Sequence, residues 1–99
     1  MAISFLTPSV TIPVGTGRRS IQQSVSFPRN VLRAGVALNG FKLDYDSDDH
    51  HINIVEVDTD LVSISGGTVT FRVECDYADK NFDDKYGGYV TALVIAETA

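Results

Sequence analysis

Ninety-nine residues at 43% apolar content can close one hydrophobic core, which excludes a disordered chain. Thirteen acidic against eight basic residues, with a net charge of -5 and a pI near 4.7, exclude the basic patch that nucleic acid or an anionic membrane surface requires. No run approaches the roughly 20 apolar residues of a membrane helix, so neither nucleic acid nor membrane insertion is expected.

From the N-terminus, Met1 to Val14 is apolar and β-branched but broken by Pro8 and Pro13. Proline removes a ladder donor, so this stretch predicts an extended arm or an edge strand, lying on its own domain or on a neighbouring subunit. Gly15 to Arg19 follows as a loop with the densest positive charge in the chain. Residues 1–19 therefore read as arm and loop, and residues 20–99 as a single β-sandwich domain. The opening MAISFLTPSV lacks the basic region and long apolar run of a signal peptide, so a soluble protein without a cleaved leader is expected, its location left open.

Ser20 to Phe27 reads as a strand ended by Pro28. The next strand, near 34–43, carries a phase change. Val36 and Leu38 share one parity while Phe41 and Leu43 share the other, which predicts a β-bulge at Asn39-Gly40. Asp44 to Asp49 reads as a polar hairpin loop, and a strand resumes near 51–60. Ser65-Gly66-Gly67 reads as a turn.

Thr68 to Tyr77 has the clearest signal. Val69, Phe71, Val73, Cys75 and Tyr77 alternate with Thr68, Thr70, Arg72, Glu74 and Asp76, the period of a half-buried antiparallel strand. The lone Cys75 sits on the apolar parity, so it reads as a core residue. Ala78 to Lys85 reads as a polar loop. The closing strand, near 87–96, is apolar on both parities between Tyr89 and Ile95, as in a strand covered on both faces. The expected core comprises Phe27, Val36, Leu38, Ile54, Val69, Phe71, Val73, Cys75 and Leu93. The apolar surplus on the strands at 52–57 and 89–95 predicts burial between subunits of a homo-oligomer.

Several of these segments together resemble the H-type lectin domain of snail agglutinins and discoidins. The matching residues are Val25-Ser26-Phe27-Pro28, the run Gly35 to Asp44 with its Gly40-Phe41-Lys42-Leu43-Asp44 turn, the middle strand from Ile52 to Asp60, Val62 to Gly67, and the closing strand from Tyr86 to Ile95. The resemblance implies an all-β, six-stranded antiparallel sandwich, assembled as a trimer or as a hexamer of paired trimers. It also implies galactose or N-acetylgalactosamine binding at loops between protomers. The family's middle-strand arginine falls near Asp58, and the chain has no Arg from Ile52 to Asp60 and no Trp.

Carried over by position, the sugar site draws on the Gly15–Arg19 loop and the Tyr77–Tyr86 loop. Asn81, Asp83 and Tyr86 are the expected direct contacts, with Arg18 or Arg19 reaching in from a neighbouring chain. Carboxylates and amides can hydrogen-bond sugar hydroxyls, and an aromatic face can pack on the apolar side of a pyranose. A second cluster, Asp44 to His51, places oxygen ligands at Asp44, Asp46 and Asp48, as at the start of a calcium loop. It lacks the glycine, distal glutamate and flanking helices of that motif, so no cofactor is expected and calcium is the open candidate there. No nucleophile elbow or aligned acid pair appears, which predicts a non-enzyme. The partner is then a glycan, or another protein if the chain is instead a structural or adaptor module of a virion or cell surface that kept the fold without the sugar site.

Overall fold

The computed structural model describes residues 1–45, 54–78 and 85–99. Among the described residues, seven strands run as β1 (Ala2–Leu6), β2 (Ser9–Gly15), β3 (Arg19–Ser26), β4 (Val31–Tyr45), β5 (Ile54–Ser65), β6 (Thr68–Ala78) and β7 (Tyr86–Thr98). All pairings are antiparallel. In one sheet, β7 is central, with β4 along one side and β1 and β2 end to end along the other. The second sheet is β3-β6-β5. Among the described residues no helix is long and apolar enough to cross a membrane.

The strand count is seven where six were expected, and Pro8 is the reason. Proline has no N–H to give the ladder, so the arm's edge is cut into β1 and β2. The interruption is local, because the Pro8 carbonyl still accepts a 2.9 Å hydrogen bond from Ala92 N. The arm thus lies on its own sandwich, Phe5 opposite Ile95 and Val10 opposite Val90.

The expected bulge in β4 is present as a register shift between Leu38 and Gly40. It moves the inward parity from Ala34 and Val36 to Leu43 and Tyr45, which pack on the core. At the far end, Gly66 adopts φ +58 in the β5–β6 turn. A Cβ on Gly67 would lie 2.6 Å from the Phe27 carbonyl oxygen, closer than non-bonded atoms tolerate. That close approach permits 2.8 Å hydrogen bonds from Phe27 N to Gly67 O and from Val31 N to Gly66 O. They tie the β5–β6 turn to the β3–β4 connection.

The core between the sheets is built from one parity of each central strand. Val69, Phe71, Val73 and Cys75 of β6 face Val90, Ala92, Val94 and Ala96 of β7, and all eight are fully buried. Phe27 is also buried as expected, and Val36 packs against the cluster. Four residues depart from expectation. Leu93 lies on the opposite parity of β7 from the core residues, so it is only partly buried on the outer face. Leu38 and Ile54 are strand residues near open edges, the first 42% exposed and the second partly buried. Tyr86 is the largest change, since it begins β7 and is completely buried in the core and not at a loop edge.

The molecule is a rod of 51 × 17 × 17 Å with a radius of gyration of 15.5 Å. A compact chain of this length has about 13 Å. The long, narrow form gives each sheet an extensive outer face, and the two faces differ. Over β7, the outward residues of the first sheet include an apolar group, with Ile3 and Phe5 of β1 beside Leu93 and Ile95. Gly35 lies opposite Ile95 and Ala37 opposite Leu93 on β4, so a shallow depression opens there, with Arg33 and Glu97 paired at one end.

Candidate functional site

The topology gathers three connections at one end of the rod. β2 ends at Gly15 and β3 begins at Arg19, β4 ends at Tyr45 and β5 begins at Ile54, β6 ends at Ala78 and β7 begins at Tyr86. The register places these ends together, with Gly15 and Tyr45 both opposite Tyr86 and Arg19 opposite Cys75. Antiparallel pairing makes this unavoidable once β6 and β7 are central. The strand ends that flank the loops singled out from sequence therefore lie together. Asn81, Asp83, Asp46 and Asp48 lie outside the described residues.

Beneath these connections, three tyrosines close the end of the core. Tyr45 and Tyr77 have ring centroids 4.5 Å apart at 31°, and Tyr77 meets Tyr86 edge-on at 5.9 Å and 71°. Offset and edge-on pairs suit the ring quadrupoles. The Tyr86 hydroxyl donates to the Gly17 carbonyl at 2.6 Å and also lies 3.3 Å from the Cys75 carbonyl. Burial, with Cys75 beside it, pushes its pKa well above the ordinary phenol value, so it stays a neutral donor. Tyr86 is thereby corrected from a surface contact to a core residue whose hydroxyl grips the β2–β3 loop.

The two arginines of that loop separate. Arg19 turns back over Gly15, and its Nη1 donates to the Pro13 carbonyl at 2.7 Å. It is spent on holding the loop base. Arg18 points outward across the polar face of the second sheet. Its Nη1 lies 2.8 Å from Glu56 Oε2, its Nη2 3.0 Å from Glu74 Oε2, and its Nη2 4.0 Å from Asp58 Oδ2. Glu74 in turn meets Arg72 Nε at 3.1 Å, and Arg72 reaches Asp60 at 3.7 Å.

This ladder follows from strand register. Asp58 is opposite Glu74 and Asp60 opposite Arg72, so alternate outward residues of β5 and β6 form rows. The hydrogen bond from Arg18 holds the Glu56 carboxyl below its ordinary pKa. The Asp58 carboxyl is pushed up by its hydrogen bond with the Glu56 carboxyl, with partial desolvation and repulsion from Glu56 adding to the shift. The cluster therefore offers both donors and acceptors on an exposed surface, which can exchange hydrogen bonds with a polyhydroxylated or amide-bearing ligand.

Sequence reasoning did not find Glu56, Asp58 and Glu74 as one group. The available signal was their common outward parity, but their adjacency depends on the β5–β6 register. Asp44 is a strand residue of β4, with Lys42 Nζ at 3.3 Å from its carboxylate. Among the described residues no group of His, Cys, Asp and Glu is arranged to hold a metal ion. Cys75 is fully buried, and burial raises its thiol pKa. No family model matches the chain, nor does any curated protein or solved structure.

Proposed function

We propose that the chain is a non-enzymatic, lectin-like carbohydrate-binding module of galactose or N-acetylgalactosamine type. The site is the loop end of the rod, completed between protomers of a homotrimer or a hexamer of two trimers. The observation that carries the reading is the Arg18 guanidinium over Glu56, Asp58 and Glu74. The H-type lectin resemblance calls for an arginine on the middle strand near Asp58, and Arg18 brings one to that position from the preceding loop. Shallow polar surfaces gain little buried area and must displace bound water, so each site binds weakly and avidity arises from repetition in the oligomer.

The assembly part of the proposal is supported by the apolar outer face of the first sheet. Ile3 and Phe5 are 68% and 67% exposed, and Ile95 and Tyr89 add to the same face. Such a face on a small rod favours burial against other copies. The same observation favours a second reading, a structural or adaptor module of a virion or cell surface that oligomerises through this face and binds no sugar.

A glycan array separates the two. Reproducible binding to galactose-type sugars, lost in Arg18→Ala with the oligomer intact, supports the lectin reading. A blank array from a stable oligomer supports the structural module and overturns the sugar site.

A further inference from the structure

We infer that Tyr86 is the positioning residue of the Arg18 cluster, acting from the core through the Gly17 carbonyl. The inference deepens the proposed sugar site and rests on that reading for its functional half. Its geometric half stands on the loop alone.

The β2–β3 connection is only Thr16, Gly17 and Arg18 between the strand ends, and its held points do different work. Arg19 to Pro13 closes the base. Tyr86 to Gly17 holds the apex from inside. Arg18 to Glu56 and Glu74 lays the outer side on the second sheet. Gly17 and Arg18 are consecutive, so one carbonyl position fixes the direction in which Arg18 leaves the loop. Gly17 has φ +79, a left-handed conformation that an L side chain disfavours.

The buried phenol has little freedom to move. Its ring meets Tyr77 edge-on, Gly15 and Tyr45 flank it in register, and the side chain has no exposed surface. A rigid donor at 2.6 Å therefore sets the loop, and the exposed ion pairs follow. The reverse dependence is weak, because pairs exposed to water contribute little by themselves. The central strand β7 is thus connected, through a single hydroxyl, to a surface guanidinium on the other sheet. The connection makes Tyr86 important to ligand binding without touching the ligand.

The test uses Tyr86→Phe, which keeps the ring and its contact with Tyr77 and removes only the hydroxyl. The readouts are the Arg18 Nε–H resonance by NMR, including its exchange with water, and galactose titration of the oligomer. Phe71→Leu is the control, since it weakens the core at a distance from the loop. The expected result is at least a tenfold faster Arg18 Nε–H exchange in Tyr86→Phe and no change in Phe71→Leu. Galactose affinity, where the parent protein binds it, falls about tenfold in Tyr86→Phe alone. An unchanged Arg18 signal in Tyr86→Phe, or an equal change in the control, overturns the inference.

If Tyr86→Phe fails to fold, Gly17→Ala perturbs the same bond from the loop side while leaving Tyr86 in place. Among the described residues, no atom beyond its two chain neighbours lies within 4 Å of the added methyl, so the φ +79 backbone is what it strains. It should reproduce the loss of the Arg18 signal, and a retained signal overturns the inference. A parent protein that binds no galactose while Tyr86→Phe still frees Arg18 overturns the sugar site and leaves the positioning role intact.

Discussion

The outward faces of the two sheets are made from strands of similar length and opposite chemistry. Over β3, β6 and β5 most outward residues are hydroxyls and charges, with Ser24 bonded to Thr70 at 2.8 Å and Ser26 to Thr68 at 3.2 Å. Arg18 and Arg72 continue the polar face with their carboxylate partners. Over β7 and its neighbours the outward residues include Ile3, Phe5, Leu93 and Ile95. One face suits water or a polar ligand, while the other leaves large side chains in contact with solvent. The core between them is continuous, so this difference is not a consequence of folding the monomer. It points to separate uses for the two faces.

The largest effect is expected from removing what both faces share. Phe71→Ala empties the centre of the core and should cost about 3–5 kcal/mol, read as a shift in urea midpoint. A loss under 1 kcal/mol would mean that the sheets do not depend on a common core.

Ile95→Lys sharpens the comparison by placing a charge at the middle of the apolar outer face. Where this face is the proposed subunit interface, the charge should weaken association by about 2 kcal/mol or more and shift sedimentation towards monomer. Thr70→Lys on the polar face should leave sedimentation unchanged and cost only about 0.2–1 kcal/mol of stability, the range of the cross-strand pair with Ser24 that it breaks. Equal responses at the two positions would erase the distinction.

Acidic residues on the polar face should give opposite pH signatures. Glu56 has a lowered folded pKa, so its contribution is present above its unfolded value and is lost as pH falls through the folded one. Glu56→Gln should therefore lower the melting temperature at neutral pH, with the gap closing as pH falls through the lowered folded value. Asp58 has a raised folded pKa, so its ionised form opposes folding at neutral pH and the penalty disappears once it is protonated. Asp58→Asn should raise the melting temperature at neutral pH and have no effect in strong acid. Both differences should shrink in 1 M salt, which screens exposed charges.

The smallest effect is expected at the hydroxyl ladder. Ser24→Ala should cost about 0.2–1 kcal/mol, the range of a cross-strand pair, in chemical denaturation. Sugar binding at the loop end should be unaffected, since Ser24 lies along β3 away from Arg18.

Much of the fold was legible because sheet periodicity is written residue by residue. The alternation from Thr68 to Tyr77 located β6 and its buried face, and the phase change at Asn39-Gly40 located the bulge in β4. The apolar run of β7 read as a strand covered on both faces, which left its core parity ambiguous. Leu93 and Val94 are equally apolar, and only packing against β6 selected Val94. The arm was harder still. Pro8 and Pro13 argued against regular pairing, but a chain edge tolerates a missing donor when the partner strand lies on one side.

The candidate site divided along the same line. That Gly15–Arg19 and Tyr77–Tyr86 form loops at strand ends followed from composition and turn chemistry. Which arginine is available did not follow, because Arg18 and Arg19 are identical as sequence symbols. Their fates differ through one step of alternation, which turns Arg19 back onto the Pro13 carbonyl and Arg18 out onto Glu56 and Glu74. Tyr86 was misplaced because a Lys-Tyr-Gly-Gly segment reads locally as loop. Burial of its ring depends on β2, β4 and β6 arriving from distant parts of the chain.

By itself the amino-acid sequence determined the all-β class, the antiparallel alternation, the bulge and the acidic surface, since each depends on side-chain order within one segment. The tertiary structure alone decided the pairing of the arm, the core parity of β7, the tyrosine plug and the union of Arg18 with Glu56, Asp58 and Glu74. Those features join distant residues, as in the pairing of Ala2 with Thr98 and the bond from Tyr86 to Gly17. Local propensity carries no information about such contacts, which arise when strand register brings complementary groups to the same height.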